Sequence, residues 1–347
     1  MIELSMPDAG SLLSRGEAQR SFHEKAAHAA RACFGRDVFV RAVVEISNFC
    51  RENCAYCGMR RNNRSLSRYR ANHEQLAELL IHHRPASVTD VNIQAGEDPV
   101  AVREVVLPLI RTLRRETSLD VSVCLGLLTP AMYAELKQAG ASIYIIKFEM
   151  ADRARYAEFN APGNFEGRLG AIHHLAATGW RVSSGFIAGL PGQSEMELLA
   201  NFALARKLPL DGCSVSPFIP GDETPLASAP MADIDVTLNC MAGLRLMRPD
   251  WVIPSVSALN LAEPGNGYRR GLRAGANLVT INLTPEEIRG DYLLYKRDRF
   301  IMTEERILTA IAAEGLSPSK QSLAGFYDTK NVNGAPAALP EKEPLRV

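Results

Sequence analysis

Three cysteines lie close together in the segment FCRENCAYCGMR, where Cys50, Cys54 and Cys57 form a C-x3-C-x2-C pattern. Three thiolates at this spacing can hold three irons of a 4Fe–4S cube and leave the fourth iron without a protein ligand. A cluster that only carries electrons normally has four protein ligands, whereas an open iron can bind a substrate or cofactor and pass it an electron. The pattern therefore predicts a catalytic iron–sulfur cluster.

A zinc site is the alternative that the same cysteines allow. Structural zinc takes four ligands, usually from two C-x2-C pairs. No second C-x2-C pair accompanies these cysteines, and the nearest downstream histidine, His73, is isolated. An aromatic residue before the last cysteine (Tyr56) and a glycine after it (Gly58) also favour the cluster loop.

The elements that must position this loop alternate along the chain. The β-branched run VFVRAVVEIS at 38–47 precedes the cysteines, so they lie on the loop that leaves a strand, at the end where parallel α/β folds carry their chemistry. Seven more strands are predicted, with helical stretches between them, at 90–95, 120–126, 142–149, 181–189, 211–217, 251–257 and 277–283. Eight such units imply a parallel sheet with right-handed crossovers. Periodicity leaves open whether the sheet is a closed (β/α)8 barrel or an open α/β sheet.

The length of 347 residues suits one α/β barrel with extensions. We expect a helical lead-in at 1–36, a barrel at 37–317 and a flexible tail at 318–347. The tail is expected because the composition there turns polar and proline-rich.

Composition excludes several classes of protein. The chain has 39 basic and 39 acidic residues, so it carries no basic field for nucleic acid or an anionic membrane. No apolar run approaches a membrane span, and the N-terminus has no apolar signal core. Seven cysteines, three of them in one motif, argue against a disulfide framework. The sequence predicts a cytoplasmic protein.

Polar residues at other strand ends are candidate ligands. Gly96 and Glu97 follow the second strand, where glycine permits close backbone approach and the carboxylate offers an acceptor for an ammonium group. Lys147 and Glu149 alternate on the fourth strand and face the same side, which is costly in an apolar strand unless they are paired or functional. Arg168 lies in the first turn of a helix, an unfavourable place for a cation. An ordinary βα turn is the alternative interpretation of Gly96 and Glu97, and a structural ion pair is the alternative for Lys147 and Glu149.

Two apolar candidates come from later strand ends. Ile187 belongs to GFIAGLPG, whose glycines would admit a ligand against the backbone, although GLPG also reads as a tight turn. Ile219 follows the sixth strand in SPFIPG, where proline and aliphatic groups can pack on a flat adenine or simply fill the core.

The cysteine pattern with its internal aromatic residue resembles the radical S-adenosylmethionine (SAM) enzymes. In that family the amine and carboxylate of SAM chelate the open iron, and reduction cleaves the sulfonium to a 5′-deoxyadenosyl radical. The ordered segments QAGEDP, AGLPGQ, PFIPGDETPLA and AGANLVTINLTPEEIR are similar to the biotin-synthase superfamily. Within it they resemble the group that contains the FeFe-hydrogenase maturase HydE and the methylornithine synthase of pyrrolysine synthesis.

This resemblance implies a complete (β/α)8 barrel, a 4Fe–4S cluster held by the three cysteines, and SAM. Gly96 and Glu97 would receive the amino group of SAM, and Lys147, Glu149 and Arg168 would match positions that bind its ribose and carboxylate. Tyr56, Ile187 and Ile219 are the remaining candidates for contact with the cofactor. A small substrate would lie inside the barrel near Ser255, Ser257 and Asn282, and an electron donor such as flavodoxin or ferredoxin would reduce the cluster.

The chain also departs from these relatives. Lysine stands at 147 where the maturase usually has arginine, and YKRDRFIMTEERI has no cysteine where the maturase often has a second cluster site. Ser122 and Ser183 stand where biotin synthase holds its auxiliary cluster, which disfavours sulfur insertion. Cys124 and Cys213 are interpreted as core or cavity residues. The alternatives that stay open are a methylornithine-synthase-like mutase, a lipoyl- or biotin-type synthase, and a cluster scaffold without enzymatic activity.

Overall fold

The computed structural model describes residues 6–333, which form a curved parallel sheet surrounded by helices. The strands are β1 Asp37–Ser47, β2 Asp90–Ala95, β3 Asp120–Cys124, β4 Ala141–Ile145, β5 Arg181–Ala188, β6 Gly212–Pro217, β7 Leu278–Asn282 and the short β8 Ser317–Pro318. Their order is β6-β5-β4-β3-β2-β1-β7, and β8 pairs with the start of β1.

The predicted strand at 251–257 forms isolated bridges rather than a regular strand. Val252 pairs in parallel with Gly212 of β6, and Pro254 pairs in parallel with Leu278 of β7, so this segment connects the two edges of the sheet. Pro254 has no N–H to donate, which prevents a continuous ladder. The barrel fold expected from the resemblance is therefore present as a curled parallel sheet, and its edges β6 and β7 are connected by this irregular segment rather than by a regular strand.

Alternation along β1 separates the two faces of the sheet. Val40, Ala42 and Val44 are fully buried in the core between sheet and helices. Arg41 and Val43 point the other way and line a cavity inside the barrel. The strand therefore packs one set of apolar residues against the helices and directs the alternate residues, Arg41 among them, into the interior of the barrel.

The helices lie on the outside of the sheet, at its ends or before its first strand. Their bounds are α1 Ala9–Leu12, α2 Gly16–Phe34, α3 His73–His82, α4 Pro99–Ala101, α5 Leu107–Glu116, α6 Pro130–Ala139, α7 Arg153–Glu158, α8 Phe165–Ala177, α9 Glu195–Lys207, α10 Ile234–Met247, α11 Leu259–Ala262, α12 Gly267–Arg273, α13 Glu286–Arg289, α14 Glu304–Ala313 and α15 Leu323–Asn333. A π-helical turn, Val102–Val106, joins α4 to α5. It lies just before Pro108, whose ring and missing N–H disrupt a regular helix.

The start of the predicted tail is ordered. Helix α15 lies under the barrel, where Leu323 and Tyr327 are buried against Phe39 and Ile143. Apolar burial holds this helix in place despite the polar composition that suggested flexibility. The rest of that tail, 334–347, lies outside the described residues. No described helix is both long and apolar enough to cross a membrane.

Candidate active site at the carboxyl end of the barrel

The loop after β1 carries the three predicted cluster ligands, and one arginine fixes its shape. The Arg68 guanidinium donates hydrogen bonds to the carbonyl oxygens of Asn48, Met59, Arg60 and Asn63. The Asn48 amide binds Ser67 O and Asp291 O at 2.6 and 2.8 Å. These side chains hold a loop that has no regular secondary structure.

Two of the three thiols, those of Cys50 and Cys54, line the cavity, and Cys57 packs beside Met59 and Leu293. Cys54 is buried, Cys50 and Cys57 are half-buried, and the Glu97 N–H donates to Cys50 Sγ at 3.4 Å. Burial raises the pKa of all three thiols, and it brings the pKa of Cys57 to about 12. The loop alone therefore keeps these groups protonated, and a bound cation is needed to form the thiolates.

The arrangement of the thiols does not suit a single metal ion. Within residues 6–333, no group of three Cys, His, Asp or Glu side chains converges on one ion. A closed zinc site requires such convergence. Thiolates that each hold a different iron of a cube need not converge, so this arrangement is compatible with the cluster.

Gly96 allows the cysteine loop to approach the end of β2. A Cβ at position 96 would lie 2.2 Å from Phe49 O and 2.9 Å from Cys50 Cβ, so a larger residue would displace the loop. The Gly96 N–H also donates to Ser47 O at 3.0 Å. The glycine is thus required by the cysteine loop, a contact that the sequence interpretation did not anticipate.

Glu97 and Arg168 form a buried ion pair at the cavity wall. Arg168 Nη1 lies 3.2 Å from Glu97 Oε1, and Arg51 Nε lies 3.3 Å from Glu97 Oε2. Burial raises the pKa of the Glu97 carboxyl, although Arg168 opposes that rise. Burial by itself would lower the pKa of Arg168, but Glu97, Tyr156, Glu149 and Tyr56 together raise it, and the net direction is upward. Arg168 Nε has no hydrogen-bond partner within the described residues.

Lys147 and Glu149 follow β4 as a second pair in the same cavity. Lys147 Nζ lies 3.1 Å from Glu149 Oε2 and 3.4 Å from Ser216 Oγ. The strand ends at Ile145, and Glu149 has a φ of 63°, a left-handed conformation that a residue with a side chain rarely adopts. Hydrogen bonds to Gly185 O and from Ile187 N hold it there. Such strain is common where a side chain is held for function.

The remaining predicted residues divide into two sets. The set that lines the cavity is Tyr56, Ile187, Ser257 and Asn282, and the Tyr56 hydroxyl has no described partner. Ile219 and Ser255 are buried but do not line it. Ser255 Oγ instead donates to Tyr268 O at 3.3 Å, beside Gly271, where it has a packing role.

Several cavity residues were missed by the sequence interpretation. Residues 291–302, which we call the strap, cross the cavity and contribute Tyr292, Tyr295, Arg299, Phe300 and Met302 to its wall. Arg41 and Asn260 also line it. The strap has no helical or strand periodicity, so only the aromatic content of YLLY gave any signal. The cavity has a volume of about 360 Å³.

Comparison with known proteins identifies the family. Residues 44–205 match the model of the radical SAM superfamily. The chain is 33% identical to the [FeFe] hydrogenase maturase subunit HydE of Thermotoga maritima over 265 residues, 76% of each protein. The chain belongs to the radical SAM superfamily. Members of this superfamily use a 4Fe–4S cluster and S-adenosylmethionine.

Two further relatives match more of the chain. The 3-methylornithine synthase of Methanosarcina barkeri is 28% identical over 296 residues, 83% of this chain and 82% of that enzyme. The crystal structure of methylornithine synthase (PylB) has a TM-score of 0.81 at 24% identity and covers 95% of this chain and 96% of that one. The second match establishes that the barrel is shared along nearly the whole chain.

The residues around the cavity fit these cofactors. Three thiols that do not share one ion suit a cube, and the unpartnered Tyr56 hydroxyl and Arg168 Nε suit a polar ligand beside it. Acidic and basic side chains meet within the same wall, so a zwitterionic amino acid moiety can find partners for both of its charges.

Proposed function

We propose that this radical SAM enzyme acts on a small molecule in cofactor or amino-acid-derived biosynthesis, as its relatives named for hydrogenase maturation and 3-methylornithine synthesis suggest. The observation that supports it best is the shared cavity wall, where Cys50 and Cys54 lie beside the Glu97–Arg168 pair. When bound and reduced, the cluster supplies the electron that cleaves SAM to a 5′-deoxyadenosyl radical. A scaffold that only carried a cluster would not need this polar cavity.

Each side chain has a proposed task in holding SAM. Glu97 accepts from the ammonium group, and Arg168 donates its unpartnered Nε toward the carboxylate. Lys147 and Glu149 contact the ribose hydroxyls. Because a lysine at 147 has no planar fork, it binds at one point where arginine would bind at two.

The apolar side of the cofactor needs a different kind of contact. Ile187 lines the cavity and packs in one apolar cluster with Phe218 and Tyr56, which gives a surface for the adenine ring. Ile219 is buried but does not line the cavity, so it is not part of this proposed contact. These contacts also exclude water from the reacting region.

A reaction that rearranges a carbon skeleton is the second candidate. Inserting sulfur by the biotin-synthase route requires a thiol-bound auxiliary cluster. In the described barrel Ser183 lines the cavity, Ser122 donates to Val91 O, and Cys213 is buried in the outer core. Cys124 is the one thiol beyond the cluster loop that lines the cavity. This inventory favours a methylornithine-synthase-like mutase over a lipoyl- or biotin-type synthase.

The proposal includes an external reductant and a reducing compartment. The cluster needs one electron for each cleavage, which a flavodoxin or a ferredoxin would supply. The cluster thiols must stay reduced until iron binds, which the cytoplasm ensures.

Cleavage of SAM by the isolated protein tests the assignment. After anaerobic reconstitution, dithionite and SAM should yield 5′-deoxyadenosine and methionine. The triple variant Cys50→Ala, Cys54→Ala, Cys57→Ala should yield neither, whereas Cys240→Ala, in the core of α10, should match the wild type. Product formation by the triple variant would refute the cluster assignment.

A further inference from the structure

Asn260 is a buried amide with neither of its polar side-chain atoms paired. The residue is 1% exposed, and within the described part of the chain neither Oδ1 nor Nδ2 has a hydrogen-bond partner. Two N–H donors and two acceptor positions are then buried without hydrogen bonds, which lowers the free energy of unfolding. Asn201 and Asn277 each lack a partner at Nδ2 only, because their Oδ1 atoms accept backbone hydrogen bonds.

Four of the nine described residues that have a buried side-chain atom without a partner line the cavity. These four are Arg41, Tyr56, Arg168 and Asn260. Native proteins pair nearly all buried polar groups, so a cluster of exceptions around one cavity indicates a polar ligand that completes them. Tyr56 and Arg168 lie on the cofactor side, beside the cluster loop and Glu97.

Asn260 lies on a different wall, held by close backbone packing. It belongs to α11, which follows the bridging segment Val252–Pro254 and faces the same cavity as Ser257 and Asn282. A Cβ at Gly267 would lie 2.6 Å from Asn260 N and 2.4 Å from Leu259 C. The backbone that carries Asn260 is thus packed closely against the start of α12.

We propose that Asn260 is a substrate-binding residue that recognises a carboxamide-type group, one that carries a hydrogen-bond donor and an acceptor on neighbouring atoms. This inference rests on the proposed function, since it takes the cavity as the site of reaction. A carboxylate would satisfy Nδ2 and leave Oδ1 without a donor. A carboxamide pairs with both atoms through two parallel hydrogen bonds, as an asparagine does with an adenine edge.

A leucine at position 260 separates this role from a structural one. Leucine has nearly the shape of asparagine and removes the unpaired polar atoms, so Asn260→Leu should raise the Tm of the protein. If the Asn260 amide stabilised the fold instead, Asn260→Leu would lower the Tm. Thr237→Val is the matched control, because Thr237 Oγ1 is also buried and unpartnered but does not line the cavity. It should raise Tm without any effect on ligand binding.

Binding is tested with holoenzyme saturated with SAM and a panel of L-amino acid primary amides, each compared with its free acid. We expect at least one amide to raise the Tm of the wild type more than its acid does. Asn260→Leu should lose that difference, as should Asn260→Ala if leucine disturbs the fold. Thr237→Val should keep it.

Three results would overturn the inference: no amide raises Tm, amide and acid act equally, or Asn260→Leu keeps the difference. A rise in Tm for Asn260→Leu with unchanged amide binding would mean that only a trapped water had occupied the amide. Failure of the wild type to cleave SAM would instead refute the proposed function, because that reaction is measured without any panel compound.

Discussion

Arg299 binds the carboxylate of Glu45 through both ends of its guanidinium, with Nη1 2.7 Å from Oε1 and Nη2 2.9 Å from Oε2. Glu45 lies on β1 just before the cysteine loop, and Arg299 lies in the strap. Thr284 Oγ1 and Gln94 Nε2 also donate to this carboxylate, at 3.3 and 3.4 Å. The pair therefore joins the strap to the strand that positions the cluster ligands.

Removing only one partner of this pair should destabilise the protein strongly. Arg299→Met leaves Glu45, 3% exposed at its side chain, as an uncompensated buried charge, which costs about 3–5 kcal/mol. The double variant Arg299→Met, Glu45→Gln should recover a large part of that loss. Urea unfolding of the two single variants and the double variant gives the coupling energy. Additive losses would show that the two side chains act independently.

A substitution at Glu97 should weaken SAM binding without loss of the cluster. Glu97→Gln removes a charged acceptor for the ammonium group, at about 1.5–3 kcal/mol, or roughly 10- to 150-fold in Kd. The N–H that donates to Cys50 Sγ belongs to the backbone and is retained. Calorimetric titration of SAM into reconstituted protein measures the effect, with Glu116→Gln on the exposed end of α5 as the control. Equal Kd values for wild type and Glu97→Gln would remove Glu97 from the SAM site.

The cysteine loop could be predicted because the pattern that identifies it lies within a few residues of the sequence. The strap could not be predicted, because its contacts join segments that are far apart in the sequence. The spacing of Cys50, Cys54 and Cys57 needs no knowledge of distant segments, and alternation within β1 gives its inward face directly. Glu45 and Arg299 are separated by 254 positions, so no periodicity links them. The unpartnered state of Asn260 is likewise visible only once its neighbours are in place.

The prediction of regular elements from the sequence was also wrong in places where tertiary contacts outweigh local composition. The segment 251–257 reads as a strand, but Pro254 restricts it to isolated bridges. Residues 323–333 read as tail, yet buried contacts of Leu323 and Tyr327 order them as α15. The fourth strand ends at Ile145, before Lys147, and Glu149, at the end of the predicted strand, takes a left-handed conformation instead.

Stability should depend on pH through Asp90 at the lower end of the barrel. Its carboxylate accepts the Leu323 N–H and lies near Arg41 and Asp120, and burial raises its pKa to about 7 from an ordinary value of 3.8. Between these values the folded protein keeps a proton that the unfolded chain has lost. The free energy of unfolding therefore falls as pH rises through this window, by on the order of a few kcal/mol.

Asp90→Asn tests that dependence directly. The amide keeps an acceptor for Leu323 but cannot titrate, so urea unfolding at pH 5 and pH 8 should differ less in the variant than in the wild type. The exposed Asp37→Asn at the start of β1 should retain the wild-type dependence. Parallel pH profiles for wild type and Asp90→Asn would contradict the raised pKa.

Reduction of the cluster by a protein donor should depend on arginines of the cysteine loop. Arg61 and Arg64 are exposed beside that loop, and positive charge there attracts the acidic surface of a carrier such as flavodoxin. Arg61→Glu with Arg64→Glu should slow reduction by reduced flavodoxin about tenfold or more at low salt, but leave reduction by dithionite unchanged. Stopped-flow absorbance of the cluster measures both rates. Arg36→Glu, exposed at the opposite end of the barrel, is the control. Equal slowing by Arg36→Glu would mean that overall charge, rather than a docking surface, sets the rate.

One cluster should account for all the iron of the protein. No second group of cysteines has ligand spacing. In the described barrel Cys213 is buried in the outer core, and Cys124 lines the cavity without another thiol from outside the cluster loop. Anaerobic reconstitution should therefore give about four irons per chain, the content of one cube. The double variant Cys124→Ala, Cys213→Ala should keep that content and the wild-type rate of 5′-deoxyadenosine formation. Iron and sulfide analysis together with electron paramagnetic resonance checks the number of clusters. Roughly six to eight irons, with the excess lost in the double variant, would reveal an auxiliary cluster and make sulfur insertion the leading reaction.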